Sequence, residues 1–559
     1  MTASLDSAQP PGRLRRRLGA GMAALLGRRA VAAWTTLLLL VTLAVVLFTL
    51  LRLPLKDDVA WLLYVARRWL AGRELYVDVV EVNPPLIVWI SAVPIRLAQW
   101  LGTAPEMVAM PFFIAVVMGC AWWTSGLLRG RSALFAQRLP VFAVLGIVLL
   151  AVPGIEVGQR EHLLIAALLP FLVLYARALD GESPALPTAI AAGVLAGLGC
   201  ALKPRYALVF GVLEGLALVR GTGVLRGPGA MRALSLSVGA TLLIYAGAVL
   251  GFCPNYVRRA VPMALALYGA TDVPLSDLMS EMARVLVAQA IAWTLVLRSR
   301  GRRLPENTLV LVLLLTAAAC TVVCVIDGKN WFYHRLPATV ATVLALLVWA
   351  GSLLLNRTRW PRVWLPLLLA GAAVCMFVLA SVQRLEPAVE MAVVPERNTV
   401  QRLEELIHRE KAHRYIAFSE WIALGFPVVN NTGVIWTSRF DSMWALKGEL
   451  WRVRFDPLAA KEWPIRQWVA QDFIAGCPDL AVVDRRGSVD YVDILSRSDP
   501  GFARAWSHFR QIDAFDGLEI YKRMAPTCTE APPDATPMIA SKTPRPRVKP
   551  PTHSRPSAG

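Results

Sequence analysis

Nucleotide-binding signatures are missing from this sequence: neither a Walker loop nor a glycine-rich dinucleotide fingerprint occurs in its 559 residues. Histidine is scarce, with six in all and no clustered ligand set, so a metal centre is the lesser reading and no cofactor is expected. There are eight cysteines: Cys120, Cys200, Cys320, Cys324 and Cys375 sit within apolar runs and Cys253 at the end of one, with neither metal spacing nor a disulfide framework. Cys477 and Cys528 alone fall in polar sequence, and would pair in an oxidising compartment. No internal repeat is visible, and the first apolar run is too long, and lacks the small-residue site, for a cleavable signal. Acidic residues are few, 39 against 58 basic ones, giving a net charge of +19. The arginines are scattered in short clusters between apolar runs, which fits membrane topology rather than nucleic acid.

What the chain has in abundance is apolar sequence: 56% of it is hydrophobic and its mean hydropathy is +0.51, the balance of a polytopic helical membrane protein. Residues 1–30 carry Arg13, Arg15, Arg16, Arg17, Arg28 and Arg29 and should stay in the cytoplasm. Uncharged runs begin at 31–51 and recur at 107–128, 139–155, 184–202, 233–254, 307–326, 336–355 and 363–382, with weaker ones at 162–176, 206–219 and 285–297. Together they make about eleven spans of roughly twenty residues.

Between the first and second spans lies an outer loop, residues 54–105. It opens on the adjacent carboxylates Asp57 and Asp58 and continues as a helix, with Trp61, Tyr64, Val65 and Trp69 at spacings of three and four. An acidic extended turn follows through Tyr76, Asp78 and Glu81 to Asn83-Pro84-Pro85, where a second helix starts. Hydropathy alone lets residues 86–101 either span or lie in the interface. Only the interfacial placement puts Arg129/Arg131/Arg138, Arg220/Arg226/Arg232, Arg298/Arg300/Arg302/Arg303 and Arg357/Arg359/Arg362 inside, so it is preferred.

The same parity sends the loops around Glu161, Lys203, residues 253–284 and Lys329 outward with Asp57. Residues 383–525 have soluble composition and alternate helix and strand signals: a helix over 399–411, strands at 415–419, 480–484 and 518–522, and amphipathic helices near Met443 and Trp468. This reads as an extracytoplasmic α/β domain, followed by a disordered tail over 526–559.

Acid at a membrane exit is the candidate chemistry. One of Asp57 and Asp58 can cap the helix while the other, about a hundred degrees round it, faces a cavity. Glu161, between Arg160 and His162, is a second candidate acid. Lys203, Arg205, Lys329, His334 and Arg335 stand at outer ends of spans. Each alone reads equally as a snorkelling side chain, but the set suits an anionic headgroup. Trp331, Phe332 and Tyr333 are interfacial anchors and sugar-stacking candidates.

The segments DDVAWLLYVARRWLAGRELYVDVVEVNPPLIVW, GQREH, LKP and GKNWFYHRLP resemble elements of the bacterial GT-C membrane glycosyltransferases, a superfamily that includes protein O-mannosyltransferases and the aminoarabinose transferase of lipid A. The likeness covers residues 31–382. It implies Asp57 as catalytic base with Asp58 as neighbour, and Glu161 as the second acid, where aspartate is more usual. It also implies a polyprenyl-phosphate sugar donor, inversion at the anomeric carbon, and a glycan, lipid or protein acceptor at the outer face of a bacterial inner membrane. Tyr76, Asp78, Glu81, Arg160, His162, Lys203, Arg205, Lys329, Trp331, Tyr333 and His334 are the expected substrate contacts, among membrane lipids. A flippase of lipid-linked saccharides and a non-catalytic envelope-assembly protein are the other readings.

Overall fold

The structure is a computed structural model and describes residues 11–224, 227, 229–298, 306–355, 364–393, 398–456 and 458–525. The clusters at Arg226, Arg300–Arg303 and Arg357–Arg362, the tail from 526 and Cys528 lie outside these residues. The first part is helical: α1 Pro11–Leu50, α2 Asp57–Leu70, α3 Pro85–Leu101, α4 Pro105–Leu128, α5 Arg138–Ala151, α6 Arg160–Leu179 and α7 Leu186–Leu202. It continues with α8 Leu208–Val219, α9 Gly229–Phe252, α10 Val261–Leu267, α11 Leu275–Arg298, α12 Asn307–Asp327, α13 Phe332–Leu355 and α14 Trp364–Val393.

Eight stretches among the described residues are long and apolar enough to cross a membrane: Ala30–Leu50, α4, α6, α9, α11, α12, α13 and Trp364–Gln383. This is a helical membrane protein. Three further segments counted as spans in the sequence, α5, α7 and α8, are apolar helices of 14, 17 and 12 residues. Prolines bound two of them, Pro153 just past α5 and Pro204 after α7.

Helix α6 is the axis of the bundle. It is apolar on all sides and buried along nearly its whole length, packed by α4, α7, α12 and α13. On its flank α7 and α9 approach backbone to backbone. A Cβ on Gly193 would stand 2.5 Å from the Leu234 carbonyl, and one on Gly197 would stand 2.7 Å from Thr241 Cβ. The Gly-xxx-Gly spacing is what permits that contact. Helix α1, by contrast, is mostly exposed along its apolar stretch and leans on α5. Helix α3 buries Ile87, Val88, Ile95 and Ala98 and leaves Val93, Leu97, Trp100 and Leu101 open.

The C-terminal part is built on a five-stranded sheet in the order β2-β1-β3-β5-β4. Strands β1 Arg414–Phe418, β2 Ile435–Trp436 and β3 Leu480–Asp484 are parallel; β4 Phe509–Phe515 and β5 Leu518–Arg523 add an antiparallel hairpin on the β3 side. β1 and β3 are the buried apolar runs, as central parallel strands should be. The expected helices form as α15 Thr399–Arg409, α17 Trp444–Val453 and α19 Ile465–Gly476, with short α16 Val428–Thr432 and α18 Ala459–Glu462 between them and α20 Tyr491–Ser498 and α21 Pro500–Trp506 after them. Strands β2 and β4 were not expected from sequence: β2 has two residues, and β4 is half-exposed.

This sheet domain sits on the loop over residues 54–105. Phe426, fully buried, packs its ring 4.9 Å from Trp61 and 5.1 Å from Tyr64 of α2. Asn430 Nδ2 donates to the Ala60 carbonyl at 3.2 Å, and the Val80 N–H donates to the Arg439 carbonyl at 2.8 Å. Gly448 of α17 lies against Leu267, where a Cβ would come within 2.6 Å of the carbonyl oxygen. Cys477 is disulfide-bonded.

Truncating the Phe426 ring removes the centre of this seam, at a cost of about 3–5 kcal/mol by analogy with other buried phenylalanines. In full-length Phe426→Ala protein, hydrogen exchange at the Val80 amide should accelerate while α6 keeps its protection. Unchanged protection at Val80 would show that the seam is held elsewhere.

Candidate functional site

The start of α2 separates the two neighbouring aspartates. Lys56, the residue before the helix, has an extended backbone and no capping side chain. Asp57 fills that role: its Oδ1 accepts the Asp58 N–H at 2.9 Å and lies 3.3 Å from Lys56 Nζ. Asp58 turns the other way. Its Oδ2 accepts a single hydrogen bond, 3.0 Å from Gln159 Nε2. Burial, reinforced by the charge of Asp57, lifts its carboxyl to about 6 against the opposing pull of Arg160, Gln159 and Lys56.

Gln159 arrives on the turn between α5 and α6. Gly158 there has φ +92°, a conformation costly for other residues, and a side chain would also press on Phe113 at 3.1 Å. Gln159 donates as well to Glu156 at 3.3 Å. Glu156, which the sequence reading did not single out, is buried 3.9 Å from Lys56 Nζ, and burial carries it to about 7. The neighbouring His162 is a structural pin: its Nδ1 accepts the Gly158 N–H at 3.2 Å and its Nε2 donates to the Leu149 carbonyl at 2.6 Å.

At the head of α6 stands Arg160. It is 8% exposed, has neither a hydrogen bond nor an ion pair among the described residues, and its Nε is buried without an acceptor. Its guanidinium lies 6.0 Å from the centre of the Tyr333 ring, and its charge is felt at Asp58. A buried cation held beside a carboxylate by packing rather than by direct pairing leaves its donors available.

Glu161 faces away, into a network of its own. Lys203 Nζ bridges Glu161 Oε1 at 2.7 Å and Asp327 Oδ2 at 2.6 Å; Arg205 also pairs with Asp327. His334 lies 3.7 Å from Glu161 and 3.6 Å from Asp327. Lys203 is therefore engaged on two sides. Lys329 is too: its ammonium donates to the Tyr268 carbonyl and to Thr271 Oγ1, both at 2.6 Å, and pairs with Asp272, fixing the long loop before α11.

In the first loop, Tyr76 donates to the Asn83 carbonyl at 2.9 Å and Asp78 accepts the Glu74 N–H at 2.9 Å. Glu81 accepts from Trp61 Nε1 and from the Asn83 N–H, and burial raises its carboxyl above the usual range. These three hold the loop in shape. Trp331 and Tyr333 stack at 6.0 Å, and Tyr268 stands edge-on to Trp331 at 6.0 Å and to Trp444 at 4.9 Å, an aromatic wall shared by both domains.

The sheet domain adds a carboxyl of its own. The segment from Trp436 to Trp444 is held at both ends: Trp436 Nε1 donates to the Phe440 carbonyl at 2.7 Å, Arg439 pairs with Asp472 at 2.7 Å, and the Met443 N–H donates to the Ser419 carbonyl at 2.8 Å. Asp441 lies between Arg439, which touches the first loop, and Trp444, which touches the long loop. Its Oδ1 accepts only the Ser442 hydroxyl at 3.2 Å. Burial first, then the charges of Glu81 and Asp58, push it to about 8. Asp441 was invisible in the sequence because nothing local marks it. Among the described residues no group of three or more histidine, cysteine or acidic side chains could hold a metal ion.

No protein-family model matches the chain, and none of the curated proteins does.

Since the Asp441 carboxyl is raised on folding, its contribution to stability is present below the unfolded value near 4 and is lost as pH rises to about 8. The thermal midpoint of Asp441→Asn should gain on the parent across that window and level off above it. A constant difference from pH 4 to 9 would mean that Asp441 ionises normally.

Proposed function

We propose that this protein is a membrane glycosyltransferase that moves a sugar from a polyprenyl-phosphate donor to a hydroxyl of a cell-envelope glycan, lipid or protein. One observation carries the reading: Asp58, a carboxylate with one hydrogen bond and a raised pKa, faces the buried, unpaired Arg160 at the helix ends, under a roof of aromatic rings. In this arrangement Asp58, rather than Asp57, accepts the proton of the acceptor hydroxyl. The acceptor oxygen forms its bond to the anomeric carbon, the bond from that carbon to the phosphate oxygen breaks, and the phosphate leaves with the electron pair toward Arg160. Lys203 and Glu161 brace the floor of the site, and Trp331 and Tyr333 offer faces for the sugar. Asp441, protonated at neutral pH, donates a hydrogen bond to a substrate hydroxyl.

The topology that goes with this reading has about eleven spans, α5, α7 and α8 included, α3 in the interface, and the sheet domain outside the cytoplasm. The disulfide at Cys477 supports that side, because such bonds persist in oxidising compartments. A reporter active only outside the cytoplasm, fused to the C-terminus, should be active; silence of a stably expressed fusion would reverse the orientation.

For the chemistry, Asp58→Asn should lower transfer by about 10²-fold or more, the scale of a lost general base, while Asp57→Asn stays within a few-fold of the parent. In the parent, the rate should rise with pH through about 6, as Asp58 ionises. The assay is sugar transfer by purified protein from a polyprenyl-phosphate sugar to envelope fractions. Full activity in both variants would sink the proposal, and loss in Asp57→Asn alone would return the base to that residue.

A further inference from the structure

Helix α13 has two working faces. Tyr333 and His334 look toward the site above; Phe332 and Arg335, on the opposite side of the helix, look into a separate crevice of ≈ 150 Å³ where α11, α13 and α14 meet. Glu281, Arg284 and Val285 line it from α11, and Phe377 and Ser381 from α14. The α11 and α13 residues lie in the first three turns of their helices, and Phe377 and Ser381 in the last two turns of the apolar stretch Trp364–Gln383.

The crevice has unspent positive charge. Arg335 is buried, and its Nη1 donates to the carbonyl and, at 3.0 Å, to the carboxylate of Glu281, but its Nε is buried with no acceptor. Arg284 has no ion-pair partner among the described residues. Two guanidinium groups thus face one carboxylate. The helices on either side turn apolar residues outward, Val287 on α11 and Val378, Leu379 and Val382 on α14, so a molecule with its head in the crevice can lay its chains along them. A soluble anion would gain nothing from those surfaces, while a lipid gains from both.

We propose that this crevice binds the phosphate-bearing head of an anionic membrane lipid, with Arg335 Nε and the Arg284 guanidinium as its donors. Guanidinium fits phosphate bidentately, and two guanidinium groups against one carboxylate favour a head of net negative charge over a zwitterionic one, whose ammonium they repel. Glu281 holds Arg335 in place and competes with the ligand. The site is distinct from the group-transfer site and stands whether or not that reading holds.

The test is native mass spectrometry of the full-length protein purified in mild detergent, followed by titration with phosphatidylglycerol. A retained lipid adduct is expected, and its mass distinguishes a phosphatidyl lipid from a polyprenyl phosphate, the two sources of the same headgroup chemistry. Losing one charge-assisted bond should weaken phosphatidylglycerol binding roughly tenfold in Arg284→Gln, whose exposed side chain can be changed without disturbing the fold. Glu281→Gln should tighten it, a gain that a purely structural Arg335–Glu281 pair would not give. Phosphatidylcholine should bind more weakly than phosphatidylglycerol. Equal affinity for phosphatidylglycerol in parent, Arg284→Gln and Glu281→Gln proteins would overturn the proposal, as would full displacement of the lipid by an equal concentration of inorganic phosphate.

Discussion

The ammonium of Lys203, set between the carboxylates of Glu161 and Asp327, is the interaction on which the architecture turns. It joins the head of α6 to the tail of α12 at the point where α7 gives way to α8. Removing one partner from charges taken this far out of water would cost several kcal/mol. Within the group Arg205 takes the second oxygen of Asp327 and His334 lies between the two acids, while Glu161 Oε2 is buried without a hydrogen-bond partner. With Glu161 engaged there, its neighbour Arg160 keeps no direct partner among the described residues, and its charge is felt at Asp58.

The sheet domain completes what the helices begin. Its Phe426 closes over Trp61 and Tyr64, its Arg439 carbonyl bonds to the first loop, and its Trp444 meets Tyr268. Burial raises three carboxyls to different degrees, with Asp58 near 6, Glu156 near 7 and Asp441 near 8. Groups separated in this way can hold different protonation states at one pH, which is the usual basis for dividing acid and base roles.

Much of this was legible in the chain. Uncharged runs announced the helices, and all three strands expected in the soluble part formed within a residue or so of the expected bounds. The adjacent pair Asp57 and Asp58 also stood out, as did the idea that one caps and one faces inward. Which one does so was not legible, because it depends on Lys56 and on a glutamine a hundred residues later. Asp441 and Phe426 were not legible either: hydropathy and periodicity describe each segment against its own neighbours, whereas these residues act across a seam between segments more than 350 positions apart. Lys329 read as an exposed cation because the long loop that consumes its three donors has no regular pattern. Three of the apolar runs form helices of only 14, 17 and 12 residues, two of them followed by Pro153 and Pro204, a limit that hydropathy does not register.

Helix α14 extends for 30 residues, roughly 45 Å at the rise of an α-helix, against a hydrocarbon layer of about 30 Å. Its apolar stretch, Trp364–Gln383, ends before the helix does, and just beyond it Leu385 rests against Gly154, in the turn that presents Glu156 and Gln159. Any shift of α14 along its axis is therefore passed through Leu385 to the turn that holds the hydrogen bond to Asp58.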